Sequence, residues 1–250
     1  MDIIFELVYI FNNVCKIKIC NSFDEKIKYK IHYNRTLFKR KKNFLISPNN
    51  VHTATILLEM DELPPSFFEG CVNLISFSLL KLKKKINCSH MFENCINLRN
   101  FNIPNDILES DGIANCMFKN CQSINEINLE NLSLKNMENM NEMFYNCSNL
   151  SKISFSMNPA NKIISCDSMF SFTKIPKVDL DMLRENNNEI DMSNMFAFCF
   201  NLKKVDLSFI QNNKNKLANI CYCADTFLKV SRKNYLQAKR NHENNMIIEI

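Results

Sequence analysis

A short motif returns along this chain at a constant interval. The residues Met-Phe-x-Asn-Cys-x-x-Leu start at Met91, and close variants start at Met117, Met143, Met169 and Met195. Their phenylalanines stand at positions 92, 118, 144, 170 and 196, a constant step of 26 residues. A fixed period of this length indicates small units that stack on one another, and stacked units build extended binding surfaces instead of enclosed reaction chambers.

Each unit contains two pieces with different periodicities. After the motif, apolar and polar residues alternate, as at 101–103, which is the two-residue period of a half-buried strand. Within the motif, Phe92, Cys95 and Leu98 stand three apart, so one face of a helical or 3₁₀ turn can bury them all. We therefore predict an α/β repeat of short helical turns and short strands, with the strands paired in parallel in one sheet. The predicted strands are residues 101–103, 127–129, 153–155, 178–180 and 205–207.

The spacing also indicates where the array begins, weakens and ends. An earlier unit starts at Leu63, and the last unit, which starts at Cys221, is stretched. The copy at Met169 is degenerate, because Thr173 replaces the cysteine and one residue is lost before Ile175. We predict three segments, which are a β-rich leader at 1–55, a repeat array at 56–228 and a capping segment at 229–250.

The repeat resembles that of a known family. Residues 136–150, Asn-Met-Glu-Asn-Met-Asn-Glu-Met-Phe-Tyr-Asn-Cys-Ser-Asn-Leu, are similar to the BspA-type leucine-rich repeat, Asn-Val-Thr-Asn-Met-Ser-x-Met-Phe-x-Asn-Cys-x-x-Leu. The tail, which includes Tyr235 and ends Ile-Ile-Glu-Ile, is similar to the segment that caps such arrays. The resemblance covers roughly residues 56–250 and implies a leucine-rich-repeat solenoid used for binding, commonly on cell surfaces and often in adhesion. The chain departs from the family in having no tryptophan.

The composition argues against catalytic and cofactor chemistry. The chain has 2 glycines, so it contains no Gly-rich phosphate loop or dinucleotide fingerprint. Its 4 histidines are scattered and have no partners at metal-ligand spacing in the sequence. We predict that the protein is not an enzyme and has no catalytic residues, no cofactor, no metal site and no small-molecule substrate.

Asparagine replaces glycine in the repeated turns. Asn94, Asn120 and Asn146 occupy one slot of successive units. Because asparagine adopts positive φ more readily than most residues that carry a side chain, we predict that these three residues form left-handed turns or a ladder and bind no ligand.

Most cysteines occupy two repeated slots. One slot holds Cys71, Cys95, Cys121, Cys147 and Cys199, and the other holds Cys88 and Cys166. Because these slots exchange cysteine for Met, Ala or Thr, we predict buried, reduced thiols. Cys116 shares a different slot with His90 and Glu142, so it is predicted to face water as the best candidate for a reactive thiol.

The leader has no repeat but a cationic pattern. The first eleven residues suit a strand, and Lys26, Lys28 and Lys30 alternate with apolar residues, as Lys16 and Lys18 also do. This pattern predicts a β-hairpin that caps the first unit. An alternative hypothesis is that its cationic face binds nucleic acid or an anionic membrane. The modest net charge of +5 and the lack of an aromatic RNA-binding motif argue against that alternative.

Two signals disagree about where the protein acts. The start of the chain has no recognisable secretory signal, and no run of 18 apolar residues occurs, which favours the cytoplasm and predicts no transmembrane segment. The family resemblance instead favours the cell surface, so export without a recognisable signal stays an alternative.

Polar residues that alternate with the buried strand positions are predicted to point outward as a ladder. This strand face comprises Asn100, Asn102, Glu126, Asn128, Lys152, Ser154, Lys177, Asp179, Lys204 and Asp206. We predict a non-enzymatic leucine-rich-repeat module that binds a protein or glycan partner through this face. Charge is concentrated from Lys152 to Asp206, so this part is predicted to contact the partner.

Overall fold

The part of the chain that the structure describes forms many short strands and almost no helix. The computed structural model describes residues 3–10, 16–21, 28–32, 39–41, 44–46, 53–60, 63–82, 86–103, 108–109, 112–156, 159–210, 214–224, 226–231 and 247–249. The strands are β1 (Ile3–Ile10), β2 (Lys16–Lys18), β3 (Lys28–His32), β4 (Lys39–Lys41), β5 (Phe44–Ile46), β6 (Thr53–Met60), β7 (Leu74–Leu82), β8 (Asn100–Asn102), β9 (Leu108–Glu109), β10 (Glu126–Leu129), β11 (Leu132–Ser133), β12 (Lys152–Phe155), β13 (Lys204–Leu207), β14 (Phe227–Val230) and β15 (Ile247–Glu249). One 3₁₀ helix, Asp181–Leu183, is present among these residues.

The Met-Phe segments form hydrogen-bonded turns where helical turns were predicted. In the segment that starts at Met117, the Cys121 amide donates to the Phe118 carbonyl at 3.0 Å, a bond of the i to i+3 type. Cys116 and Asn120 in the same turn have positive φ values of 55° and 62°. Left-handed residues at both ends of the turn stop a right-handed helix from growing.

Successive repeats are joined by backbone hydrogen bonds across the turns. The Phe92 amide donates to the Met117 carbonyl at 2.9 Å, and the bond recurs from Phe118 to Met143 at the same distance. It continues from Phe144 to Met169 and from Phe170 to Met195. These bonds fix the spacing of neighbouring repeats.

A continuous stack of phenylalanine rings forms the centre of the core. The motif residues Phe68, Phe92, Phe118, Phe144, Phe170 and Phe196 are all fully buried. Consecutive ring centroids are 5.4 to 5.6 Å apart, and the ring planes are within 7° of parallel. The 26-residue period therefore places equivalent side chains one above the other, which confirms the core prediction for this slot.

The predicted asparagine ladder is present. Asn94, Asn120 and Asn146 have φ values of 61°, 62° and 56°. The Asn120 side-chain amide donates to the Asn94 side-chain oxygen at 2.8 Å, and Asn146 donates to Asn120 at 2.9 Å. All three asparagines thus make left-handed turns, and Asn120 and Asn146 each link their repeat to the one before.

The predicted core cysteines are buried. The Sγ of Cys95 lies 3.0 Å from the Phe68 carbonyl oxygen, and Cys121, Cys147 and Cys199 donate in the same way to phenylalanine carbonyls of earlier repeats. Thr173, which replaces cysteine in the degenerate copy, donates to the Phe170 carbonyl at 2.8 Å. A hydroxyl can replace the thiol in this slot because a carbonyl acceptor is available.

The strands pair in parallel, but the prediction of one continuous sheet is wrong. β8 pairs with β7, β10 with β12, and β13 with β14, so the predicted strands lie in three separate sheets. The segment 178–180 forms no strand, and Lys177 makes a single bridge to Lys204. Proline explains this break, because Ser151 donates to the Asn125 carbonyl at 2.8 Å whereas Pro176, in the equivalent position, has no N–H.

A second row of bridges runs along a different edge of the repeats. Parallel bridges link Ile113 to Asn139, Asn139 to Ser165, Ser165 to Asp191 and Asp191 to Lys216. The alternation of apolar and polar residues did not reveal this row, because each repeat contributes a single residue to it.

The leader packs against the first repeat. β1 lies inside a five-stranded sheet of order β3-β6-β1-β7-β8 and pairs antiparallel with β6 and β7. Leu7 and Tyr9 are buried in the same core as the repeats, and the Tyr9 hydroxyl donates to the Ile19 carbonyl at 2.7 Å. The predicted segment boundary at residue 55 lies within β6.

The predicted cationic hairpin is not formed between its two expected strands. β2 pairs with β5, whereas β3 pairs with β6 in a different sheet. β6 has eight residues and pairs with all five residues of β3, whereas β2 has only three residues with which to pair. Lys26 lies outside the described residues, so the structure does not place it.

Candidate functional site

Two neighbouring grooves cover the predicted strand face. One, of about 450 Å³, is bordered by β8, β10 and β12, and the other, of about 950 Å³, runs from β12 across the degenerate repeat to β14. Every predicted face residue except Lys204 lines one of the two grooves. All ten are exposed except Ser154, which is half-buried. The structure therefore brings the predicted residues to one side of the array.

The larger groove, which we call the charged groove, carries two rows of opposite charge. Lys177 lines this groove and is joined by a backbone bridge to Lys204, which is not itself a lining residue, so the lysine row continues beyond the groove. Asp179 and Asp206 stand two residues further along the same segments and form the second row. Asp206 forms an ion pair with Lys229 at 3.4 Å.

Asp206 is held in its ionised form. Partial burial raises the pKa of its carboxyl, but hydrogen bonds from Ser208 and the nearby Lys229 ammonium outweigh burial, so the net pKa lies below the usual value. The Ser208 hydroxyl donates to Oδ1 at 2.6 Å and the Ser208 amide at 2.9 Å. The carboxylate is thereby oriented as well as charged.

Arginine and phenylalanine side chains at one end of the charged groove were missed by the sequence analysis. The Arg184 guanidinium lies over the Phe209 ring at 5.1 Å and donates to Asp181 Oδ1 at 2.6 Å. The sequence feature that could have indicated them is the stretch after Leu180, which does not follow the repeat and contains the 3₁₀ helix.

A partly exposed row of aromatic side chains was also missed. Phe172 and Phe198 stack with centroids 4.5 Å apart, and Tyr145, Phe200 and Tyr222 contact the row at 5.4, 6.3 and 5.5 Å. Phe172 and Phe198 occupy the slot of the ladder asparagines and have φ values of 63° and 59°. Bulky residues are rarely left-handed, so both carry backbone strain. The sequence signal was available, because phenylalanine stands where a left-handed residue was predicted.

The prediction of a reactive thiol at Cys116 is wrong. Cys116 is half-buried, and its Sγ lies 3.6 Å from Glu142 Oε2. Burial and the adjacent carboxylate together raise the pKa of the thiol to about 12. A thiol with this pKa carries very little thiolate at neutral pH and is a poor nucleophile. Cys223 is the exposed cysteine in the described part of the chain.

One group of side chains could hold a metal ion. Ligand atoms of His90, Glu93 and Cys116 all lie within 4.8 Å of one another. The sequence gave no such indication, because Cys116 is remote from His90 along the chain and comes beside it only when two repeats stack.

The leader lysines of the alternative hypothesis are only partly placed. Lys28 and Lys30 lie in β3, and Lys18 donates from Nζ to the Glu69 carbonyl at 2.6 Å. Lys18 therefore attaches the leader to the first repeat.

The helices of the described residues include none that is long and apolar enough to cross a membrane.

A search of curated proteins and a search of solved structures each found no match. Residues 5–112 and 88–229 match, in 6 copies, the family model of the BspA type leucine rich repeat region. The match begins within β1 and so includes the leader. Leucine-rich repeats of this kind indicate a module for protein interaction, and the chain belongs to the BspA-type leucine-rich-repeat family.

Proposed function

We propose that the chain is a non-enzymatic solenoid that binds a protein partner through the charged groove. The observation that supports this most is the arrangement of the groove. A lysine row and an aspartate row lie side by side, and an arginine stacked on a phenylalanine lies at one end. Arginine and aromatic side chains are enriched among the residues that dominate protein interfaces.

The charge pattern favours a protein over other partners. A nucleic acid attracted by Lys177 and Lys204 would be repelled by Asp179 and Asp206, because all of its backbone charges have one sign. A neutral glycan would itself offer no ionic partner to either row. A protein surface that carries both signs can complement the two rows, which favours correct orientation and rapid association.

Charge reversal tests the proposed surface. The double variant Lys177→Glu and Lys204→Glu is expected to reduce capture of the partner at least tenfold, because it turns two attractive contacts into repulsive ones. Both side chains are exposed, so folding should be preserved. The matched control is Lys135→Glu with Lys162→Glu, which changes the net charge equally at exposed residues outside both grooves.

The wild type and both variants are immobilised and exposed to extract of the source cells, and the retained molecules are compared by mass spectrometry. Equal retention by all three chains would contradict the proposed surface. Retention that survives protease treatment of the extract but not glycosidase treatment would assign a glycan. Retention abolished by nuclease, and by Lys28→Glu with Lys30→Glu, would support the alternative in which the leader binds nucleic acid.

A further inference from the structure

Histidine, carboxylate and thiol groups gather on the turn edge of two neighbouring repeats. His90 Nδ1 contacts Glu93 Oε2 within one turn. Cys116 occupies the slot of His90 one repeat later, and its Sγ completes a group whose ligand atoms lie within 4.8 Å of one another. Beyond it, Lys119 contacts the Glu142 carboxylate, which lies 3.6 Å from Cys116 Sγ.

This donor set has the chemistry that zinc prefers. Zinc binds imidazole nitrogen, thiolate sulfur and carboxylate oxygen, and three protein ligands leave a fourth position for water. Calcium and magnesium prefer oxygen ligands alone and do not suit a thiol. The His90 side chain is 43% exposed and that of Glu93 is 15% exposed, so an ion can enter from solvent while the carboxylate stays sheltered.

The repeated turn geometry explains why His90 and Cys116 meet. Their slot is left-handed in successive repeats, with φ values of 55° at both His90 and Cys116 and 53° at Glu142. Cys116 is half-buried at this turn, whereas the core cysteines are fully buried, so its thiol lies outside the phenylalanine core.

An unused acceptor lies in the same turn. The side-chain oxygen of Asn115, the residue before Cys116, is buried and has no hydrogen-bond partner. The Asn115 carbonyl accepts the His90 amide at 2.8 Å, so this residue also connects the two turns that carry the ligands. Buried acceptors without partners are uncommon in proteins and are often satisfied by water or an ion.

We propose that His90, Glu93 and Cys116 bind one zinc ion and thereby join two consecutive repeats. His90 binds through a ring nitrogen and Glu93 through a carboxylate oxygen. The Cys116 thiol proton leaves to solvent as sulfur binds the ion, and water takes the fourth position. The ion would link turns that are otherwise held together by backbone bonds, so it would stabilise this part of the array.

Cobalt and zinc titrations test the site. The full chain is freed of metal with a chelator and titrated with Co²⁺, which reports tetrahedral coordination by visible absorption and a thiolate ligand by charge-transfer absorption. We expect one Co²⁺ per chain, displaced by Zn²⁺. At about a hundredfold excess of Zn²⁺ over its Kd, the unfolding midpoint should rise by about 5–10 °C.

Three variants assign the ligands. Cys116→Ser should abolish the charge-transfer band, and His90→Ala should weaken binding at least tenfold. Cys223→Ser is the matched control, because it removes an exposed thiol from another repeat and should leave the spectrum unchanged. Circular dichroism of each metal-free variant verifies that it is folded.

Two results would overturn the proposal. One is a wild-type chain that binds no Co²⁺ or Zn²⁺ at one equivalent, which would make the group a hydrogen-bonded cluster without a metal. The other is a charge-transfer band that persists in folded Cys116→Ser or disappears in Cys223→Ser, which would place the ion elsewhere.

Discussion

Phe118→Ala tests the ring stack on which the array depends. The Phe118 ring is fully buried, lies 5.5 Å from the rings of Phe92 and Phe144, and meets Phe101 edge-on at 4.9 Å. Removal of a buried phenylalanine costs about 3–5 kcal/mol. Each lost aromatic pair costs about 0.5–1.5 kcal/mol beyond its buried area, so we expect the upper part of the range, about 4–5 kcal/mol.

The surrounding structure has little freedom to fill the cavity. The Phe92 amide donates to Met117 and the Phe118 amide to Met143, both at 2.9 Å, and these bonds hold the repeats apart at a fixed distance. A cavity that cannot collapse keeps the full cost of the lost contacts.

Urea unfolding measures the effect. The chain has no tryptophan, so unfolding is followed by circular dichroism and tyrosine fluorescence, and agreement of the two probes tests whether the array unfolds as one unit. Phe200→Ala is the control, because Phe200 is 69% exposed and its loss should change the free energy of unfolding by about 0.5 kcal/mol or less. If Phe118→Ala leaves no folded state to measure, Phe118→Leu should still cost about 1–2 kcal/mol. A loss below about 1.5 kcal/mol for Phe118→Ala, or one equal to that of the control, would refute the reasoning.

Two further predictions concern the turn edge. Phe172→Asn should change the free energy of unfolding by less than about 1 kcal/mol in urea titrations. The reason is that relief of the left-handed backbone strain offsets the lost ring contact with Phe198. A loss of about 3 kcal/mol would show that the Phe172 ring belongs to the core. Among the described cysteines, exposed Cys223 should react first with iodoacetamide in metal-free protein at pH 8, as mapped by mass spectrometry. Cys116, whose thiol has a pKa of about 12, should react much more slowly and should accelerate only as the pH approaches that value, and equal rates at pH 8 would contradict this.

The repeated slots could be predicted because each repeat poses the same local problem. Phe118 and Phe144 had to be buried, since a short strand and a turn cannot hide an aromatic ring alone and stacking is the only way to cover it. Asn120 had to be left-handed, since the chain has too few glycines for its turns. These inferences need the period and the residue type, and no long-range geometry.

The outward-facing residues of the strand face could be predicted one by one, but the division of its strands into separate sheets could not. Alternation identifies which side chains point outward, so Asn128 and Asp206 were placed on the correct side. It does not show whether neighbouring segments are close enough to share ladder hydrogen bonds. Pro176 interrupts the row of inter-strand hydrogen bonds because proline has no backbone N–H. The resulting gap in the sheet is part of the charged groove.

The sequence by itself determined the family, the 26-residue register, the phenylalanine core and the side of the array that carries the polar ladder, because all of these follow from repetition. Only the tertiary structure decided which residues from different repeats meet. His90 and Cys116 become neighbours because stacking places equivalent slots side by side, and left-handed turns then direct both side chains to one edge. Arg184 reaches Phe209 for a related reason, since the 3₁₀ helix departs from the repeat and carries the guanidinium over a ring from the next unit.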